Sequence, residues 1–194
     1  MSIAKFLNPE LLYFTSDHHF GHKNICKYSN RPFDSCQDME ERFIENWNKV
    51  VQPDGIVFHL GDMFFQNLEK CVSVIKRLNG RIIYLYGNHE VITKTSGSIF
   101  HSTQDYLRIK VLDEEVACDF YQDIVLMHYP IASWEKKHYG SWMLHGHCHG
   151  SFDNGPNSLD VGVDSVAKLL SDTRESYKPL DYYEVKNLIY LKSK

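Results

Sequence analysis

Six short apolar segments, separated by polar stretches, limit what this chain can fold into. Each is too short for an ordinary helix and is bounded by polar or turn-forming residues, so each predicts a buried β-strand. The segments are Leu11–Phe14, Ile56–Leu60, Ile82–Leu85, Ile124–Met127, Trp142–Leu144 and Leu159–Val163. Most of them run directly into a cluster of Asp, Asn, His or Gly. Functional side chains are therefore expected in loops at strand ends.

Longer segments between the strands carry apolar residues at helical spacing. Met39–Val51 and Leu68–Leu78 predict two helices, the second ended by the Asn-Gly pair that follows it. Asp181–Leu191 predicts a third helix, with Asp181 as its N-terminal cap. Strands and helices alternate in the first half, which predicts parallel pairing, whereas the later strands follow one another through turns and predict antiparallel pairs. The expected fold is an α/β sandwich of two mixed sheets flanked by helices.

Composition narrows the class of protein. With 43% hydrophobic and 24% charged residues, the chain of 194 residues is typical of globular proteins, and no repeat or linker divides residues 1–194 into more than one domain. The sequence shows no leader pattern and no run of about 18 apolar residues, so neither export nor a membrane span is expected. Five cysteines without a CxxC pair predict free thiols and a cytoplasmic location.

Three clusters in the first half carry metal-binding chemistry. SDHHFGH places Asp17 and His19 two residues apart, so strand alternation predicts that both side chains leave the same face. HLGD contributes Asp62, whose two carboxylate oxygens can bind different cations of a metal pair. GNHE contributes Asn88 as an oxygen ligand and His89 as a group free to transfer a proton.

Two further clusters add three histidines. MHYP provides His128 at a strand end, and HGHCHG provides His147 and His149, which alternation predicts to share one face while Cys148 points away. Any one of these clusters is common, and alone it is more often a loop, a turn cap or a core histidine than a ligand. Together they follow separate predicted strands in a fixed order and supply enough ligands for two cations.

In this order the clusters resemble the calcineurin-like metallophosphoesterase superfamily, whose pattern is DxH, GD, GNH[DE], H and GHxH. The resemblance spans about Phe14 to Asp164, and the string DHHFGHKNI with Arg-Pro-Phe at 31–33 is similar to small bacterial and phage members. It implies a metallophosphoesterase-type sandwich. It also implies that Asp62 bridges two ions, with the ligand sets Asp17, His19, Asp62 and His149 for one ion and Asp62, Asn88, His128 and His147 for the other.

The resemblance also assigns catalytic roles. His89 corresponds to the histidine that contacts the phosphoryl group and protonates the leaving oxygen, and Glu90 to the acid that orients it. Asp62, Asn88 and His89 are therefore the expected catalytic residues. A mixture of imidazole, carboxylate and amide ligands suits divalent transition metals, with manganese as the first candidate and iron, zinc, cobalt or nickel as alternatives. Two such ions would let a metal-bridging hydroxide attack phosphorus in line.

Groups outside the ligand sets are candidates for substrate binding or support. His22 and Arg31, together with Asn88 and His89, are expected to bind the phosphate substrate, with a solvated loop as the alternative for the first two. Asp160 and Asp164 are expected either to accept hydrogen bonds from ligand imidazoles or to cap a turn. For His59 and His145 a hydrogen-bonded core position is favoured. Several aromatics could stack on a nucleobase or close the core, namely Tyr28, Phe33, Phe64, Phe65, Tyr129 and Trp134.

These features favour hydrolysis of a small phosphodiester or nucleotide. Phosphomonoesters, including phosphoproteins, are the alternative substrates. A net charge of −4 gives no support for extended contact with nucleic acid, so a nuclease would need a partner that supplies positive surface. A non-catalytic scaffold is the third alternative, and the complete ligand set argues against it. The sequence leaves the oligomeric state open.

Overall fold

Two β-sheets form the centre of the structure, a computed structural model that describes residues 6–89, 99–116 and 120–192. The strands are β1 (Leu12–Thr15), β2 (Ile56–His59), β3 (Arg81–Leu85), β4 (Ser102–Gln104), β5 (Tyr106–Leu112), β6 (Tyr121–Met127), β7 (Trp142–His145), β8 (Ser158–Asp160) and β9 (Leu180–Asp181). The helices are α1 (Ile25–Tyr28), α2 (Cys36–Val50), α3 (Leu68–Ile75), α4 (Val163–Leu170) and α5 (Tyr182–Lys192). The predicted mixed α/β class, with two sheets flanked by helices, is confirmed.

Pairing within the sheets agrees with the predictions only in part. The first sheet has the order β4-β3-β2-β1-β9, in which β1 to β4 pair in parallel and β9 joins antiparallel. The second has the order β5-β6-β7-β8, and only β5 and β6 pair antiparallel. The expectation of antiparallel pairs among the later strands was wrong for β6, β7 and β8. The connections at 128–141 and 146–157 are long enough for the crossovers that parallel strands need.

Strand alternation distributes the core over two layers. On β1, Leu12 and Phe14 belong to the cluster between the two sheets, whereas Tyr13 belongs to the cluster under α2 and α3. The same alternation places Phe58 of β2 between the sheets and Val57 on the helix side. Each fully buried side chain of this size contributes roughly 1.5–3 kcal/mol of burial free energy. The first sheet is thus covered on both faces, as a parallel sheet requires.

Local signals fix the helix starts. Ser35 Oγ accepts a hydrogen bond from Asp38 N–H at 3.0 Å and caps α2. The predicted cap of α5 is confirmed: Glu184 N–H donates to Asp181 Oδ1 at 2.8 Å, and Asp181 N–H donates to Glu184 Oε2 at 3.1 Å. This reciprocal pair is a capping box, which satisfies two N–H groups that a helix start leaves without partners.

The last predicted strand is shorter than expected, and a helix follows it. The strand predicted at Leu159–Val163 ends at Asp160, and α4 begins at Val163, so Asp164 lies in a helix rather than a strand. The four described cysteines are free thiols, as expected, whereas Cys118 and the predicted orienting acid Glu90 lie outside the described residues. Of the described helices, none is long and apolar enough to cross a membrane.

Candidate metal centre

Three of the predicted clusters are joined through hydrogen bonds at the carboxyl ends of the strands. Asp17 N–H donates to Gly61 O at 3.0 Å and His19 N–H donates to Asp62 O at 3.1 Å, so the loops after β1 and β2 run side by side. The loop after β7 is held against them because His147 N–H donates to Asp17 Oδ2 at 2.9 Å. The clusters therefore meet at one edge of the molecule.

Five predicted ligands have a left-handed backbone. Their φ angles are 58° for Asp17, 55° for His19, 56° for Asp62, 69° for His147 and 49° for His149. Residues other than glycine rarely adopt this conformation, which costs on the order of 1–3 kcal/mol at each position. The prediction that strand alternation aligns each pair was wrong, because both pairs lie beyond the last residues of β1 and β7.

A first group of ligand atoms comes from Asp17, His19 and His149, all within 4.8 Å of one another. His19 Nε2 lies 3.9 Å from Asp17 Oδ1. The imidazole of His19 stacks on that of His149, with 5.1 Å between ring centroids. The geometry therefore unites three of the four side chains that the resemblance assigns to the first ion.

Three polar atoms of this group are buried and have no hydrogen-bond partner among the described residues. Asp17 is fully buried, and among the described residues Asp17 Oδ1 and both ring nitrogens of His19 have no hydrogen-bond partner. Burial raises the pKa of Asp17 to about 8, and burial together with the Arg31 charge lowers the pKa of His19 to about 2. A cation between them would supply the missing interaction for both side chains.

A second group converges on the side-chain oxygen of Asn88. Asn88 Oδ1 lies 2.9 Å from His128 Nε2 and 2.8 Å from His147 Nδ1. Asp62 Oδ2 lies 3.7 Å from His128 Nε2. These are the four residues that the resemblance assigns to the second ion, and the structure brings all of them together.

The tautomer of His128 leaves a lone pair pointing into this group. His128 Nδ1 lies 2.7 Å from the Leu60 carbonyl oxygen, which can only accept, so the hydrogen is on Nδ1. In the neutral ring Nε2 then carries a lone pair toward the oxygens of Asn88 and Asp62. A cation stabilises such a convergence of imidazole, amide and carboxylate lone pairs.

The carboxylate of Asp17 lies close to residues of the second group as well. Ligand atoms of Asp17, Asp62 and His128 lie within 4.8 Å of one another, so Asp17 adjoins the second group as well as the first. Asp62 Oδ1 accepts a hydrogen bond from His89 N–H at 3.0 Å, which turns the other oxygen toward His128. The bridging role of Asp62 stays a prediction.

Two glycines make the close approach of these loops feasible. A Cβ on Gly146 would overlap Ser16 Oγ and Asp17 Oδ2, and a Cβ on Gly87 would overlap Asp62 Oδ1. Each glycine thus borders one of the two acidic ligands.

The predicted substrate contacts His89 and His22 lie at the rim. His89 is exposed, with its ring 4.8 Å from Phe65 and 6.2 Å from His19. The half-buried ring of His22 lies 4.5 Å from Phe65 and 6.0 Å from His19, and its partial burial lowers its pKa. Both side chains are placed to meet a molecule that enters the site from solvent.

Arg31 was expected to contact substrate, and the structure contradicts this because its side chain is fully buried. Its guanidinium donates to both carboxylate oxygens of Asp164 at 2.7 Å, and to the backbone oxygens of Asp17 at 2.8 Å and His18 at 2.9 Å. The fifth N–H points to Met39 Sδ at 3.3 Å. All five donors are occupied, so Arg31 supports the loop after β1 rather than binding a ligand.

The two acids considered as supports have different roles. Asp164 Oδ2 accepts from His149 Nδ1 at 2.5 Å, which fixes the tautomer that leaves Nε2 available to a ligand. Burial alone would raise the pKa of Asp164, but Arg31 and His149 outweigh it and hold the pKa at about 2. Asp160 accepts from the backbone N–H groups of Gly150 and Gly162, so it caps turns.

His59 and His145 confirm the core interpretation. His59 is buried and its Nε2 lies 2.9 Å from His18 Nδ1, a pair that the sequence did not indicate. His145 is also buried, with Nδ1 3.0 Å from Gly146 O. Of the flanking aromatics, Phe33, Phe64 and Trp134 are buried, whereas Tyr28 and Tyr129 are exposed.

Comparisons with known proteins support the fold over nearly the whole chain. No family model matches the sequence. An uncharacterised protein of Methanocaldococcus jannaschii is 29% identical over 92% of this chain and 90% of that protein, and the gene 66 protein of Mycobacterium phage L5 is 24% identical over 82% and 89%. The crystal structure of a protein of unknown function from Aquifex aeolicus superposes with a TM-score of 0.66 at 23% identity, covering 92% of this chain and 98% of the other.

Proposed function

We propose that this protein is a calcineurin-like metallophosphoesterase that holds two divalent metal ions and hydrolyses a small phosphodiester or nucleotide. The observation that carries the proposal is the pair of adjoining ligand groups, one around Asp17 Oδ1 and one around Asn88 Oδ1. The sandwich of two mixed sheets is in keeping with the fold of that superfamily.

The side chains fit the metal ions that the proposal requires. Asp17, His19 and His149 would hold one ion with Asp62, and Asn88, His128 and His147 would hold the other with Asp62. An ionised carboxylate as deeply buried as Asp17 is costly without an opposite charge nearby, which is a second reason to place a cation here. When bound, two such ions lower the pKa of water and neutralise charge on a phosphate group.

Among the rim residues, His89 is the proton donor to the leaving oxygen. Its backbone is tied to Asp62, which places its imidazole beside the ligand groups, and its exposure lets it exchange protons with solvent between turnovers. Asn88 precedes His89 in the sequence, and its side-chain oxygen lies 2.9 Å from His128 Nε2. General acid catalysis by a positioned histidine is worth about 10²- to 10⁴-fold in rate.

The proposal is tested with the purified protein, Mn²⁺ and bis(p-nitrophenyl) phosphate. We expect about two bound ions per chain and metal-dependent release of p-nitrophenol. His89→Ala should lower kcat by roughly 10²-fold or more for diphenyl phosphate, because phenolate leaves poorly without a proton, and the metal content should be retained. Asp62→Asn should lower metal content and activity together. His138→Ala removes another exposed histidine, outside both ligand groups, and should behave like the wild type. Undiminished turnover by both active-site variants would refute the proposal.

Two substrates that share the same leaving group test whether the protein prefers a phosphodiester or a phosphomonoester. Phosphomonoesters are the alternative, so p-nitrophenyl phosphate is assayed beside the diester under the same conditions. We expect a higher kcat/KM for the diester. A preference for the monoester would assign the protein to the phosphatases without affecting the metal-centre proposal.

A further inference from the structure

A groove of about 720 Å³ opens directly beside the ligand groups. The candidate ligands His147 and His149 form part of its wall, and α1 with the residues that follow it forms the facing wall. The volume lies within the range of ~300–1,000 Å³ that small-molecule sites occupy. A phosphate at the metal centre would therefore have its ester group beside this groove.

The walls of the groove combine polar and apolar surface and carry little net charge. Lys168 Nζ is anchored to the His149 carbonyl oxygen at 3.0 Å, and Asp172 supplies an opposite charge on the same side. The carboxylate of Asp164 is already paired with Arg31. Hydroxyl and amide groups make up much of the remaining lining, including Ser29, Asn30 and Ser151. Such a surface suits a neutral group with several hydroxyls rather than a long polyanion.

Tyr28 adds a flat aromatic surface at the rim. Its side chain is 71% exposed although it lies on the four-residue helix α1, whose only buried residue is Ile25. The Tyr28 ring lies 6.0 Å from that of His22, which packs on Phe65 beside His19. Aromatic rings therefore lead from Tyr28 to the first ligand group. Packing within the chain gives Tyr28 little reason for its position, and a stacked ligand would cover it.

We propose that this groove binds the nucleoside of a nucleotide substrate, with the Tyr28 ring as the stacking surface for the base. The hydroxyl and amide groups of the facing walls would meet the ribose, and the phosphate would lie at the ligand groups. This inference rests on the proposed function for the identity of the reacting group, but nucleoside binding can be measured separately. The residues of α1 and of the loop after β7 would then select the substrate.

Equilibrium binding tests the groove without turnover. Calorimetric titrations of the Mn²⁺-loaded protein with AMP and with inorganic phosphate should show AMP binding at least ~10-fold more tightly. Tyr28→Ala should lower the affinity for AMP about 5- to 150-fold, the effect of losing one stacked base. The affinity for phosphate should not change. Tyr28→Phe should retain AMP binding. Tyr139→Ala removes a tyrosine that is 89% exposed and lines no part of this groove, and it serves as the matched control.

Equal affinity of the wild type for AMP and phosphate, or an equal loss of both in Tyr28→Ala, would overturn the groove assignment. A pair of diesters separates this failure from failure of the proposed function. Thymidine 5′-p-nitrophenyl phosphate and methyl p-nitrophenyl phosphate share a leaving group and differ in the nucleoside. Hydrolysis of both at equal kcat/KM would overturn the nucleoside site and leave the hydrolase standing. Hydrolysis of neither would refute the hydrolase, and the titrations would still decide the groove.

Discussion

At the residue scale, the support beneath His149 is the most specific feature of the candidate centre. Arg31 joins Asp164 to the backbone carbonyls of the loop that carries Asp17, and Asp164 joins Arg31 to the imidazole of His149. One guanidinium therefore sets the positions of two candidate ligands that are distant in sequence. This arrangement explains why an arginine first expected to bind substrate is buried.

Asp164→Asn tests this support. An amide would not accept from Nδ1–H of His149 as strongly and would leave the Arg31 charge without its partner. We expect metal affinity to fall roughly 10- to 100-fold, the usual effect of removing such a partner, and the free energy of unfolding to fall by about 3–5 kcal/mol. Titration calorimetry with Mn²⁺ and urea unfolding measure the two effects.

The control for this prediction is Asp54→Asn, which neutralises an exposed carboxylate in the turn before β2. It should leave both quantities within experimental error. Stability lost without a change in metal affinity would show that Asp164 serves folding alone. The residue types around the centre were predictable from the sequence, but the partner of each was not, because Arg31 and Asp164 are separated by 133 positions and no local pattern links them.

At the element scale, the centre depends on how closely the loops after β1, β2 and β7 approach one another. Apolar runs and strand-end clusters predicted that the loops after β1 and β2 would meet, since the carboxyl ends of neighbouring parallel strands lie at one edge. The loop after β7 was assigned to the same site only through the family resemblance, because the later strands were expected to pair antiparallel. The runs and clusters did not predict the backbone conformation. Strand alternation was expected to continue past the ends of β1 and β7. The residues there have positive φ angles instead, and these depend on contacts between loops rather than on local propensity.

The sequence did not reveal β9 and α4. The two-residue strand β9 is too short for any periodic pattern to appear. The start of α4 at Val163 follows Val161 and Gly162 directly, so this run indicated a continued strand. The tertiary packing of Val163 and Val166 overrides that preference. In contrast, α2 and α3 were predicted from their apolar spacing, and α5 was predicted with Asp181 as its cap.

Gly146→Ala tests the loop approach. The added methyl group would overlap Ser16 Oγ and Asp17 Oδ2 and force the loop after β7 away from the loop after β1. We expect loss of Mn²⁺ binding at the first ligand group and a lower melting temperature. Gly140→Ala is the control, because its added methyl group meets nothing within 4 Å and its positive φ costs only about 1–2 kcal/mol. Unchanged metal binding by Gly146→Ala would show that the loops can separate without loss of the site.

At the scale of the whole molecule, buried ionisable groups make stability depend on pH in two opposite ways. Burial lowers the pKa of His19 to about 2 and of His59 to about 3, and it also holds the pKa of His18 well below its usual range. Below about pH 6.5 these histidines bind protons in the unfolded chain but stay neutral in the folded protein. The free energy of unfolding therefore falls as pH falls. Asp17 has the opposite sign: its folded-state pKa of about 8 exceeds the ordinary 3.8, so its contribution is lost as pH rises from 3.8 through 8.

The metal-free protein should therefore be most stable near pH 6.5, where the histidines no longer take up protons and Asp17 has yet to ionise fully. Between pH 6.5 and 8 the free energy of unfolding in urea with chelator should fall more steeply for the wild type than for Asp17→Asn. His149, whose pKa is raised because its hydrogen bond to Asp164 outweighs burial, adds a smaller fall in the same direction to both proteins. Added Mn²⁺ should abolish the fall in the wild type, since a cation favours the ionised carboxylate. A wild-type curve that is level from pH 6.5 to 8 in chelator would show that the Asp17 carboxylate is ionised at neutral pH without a metal.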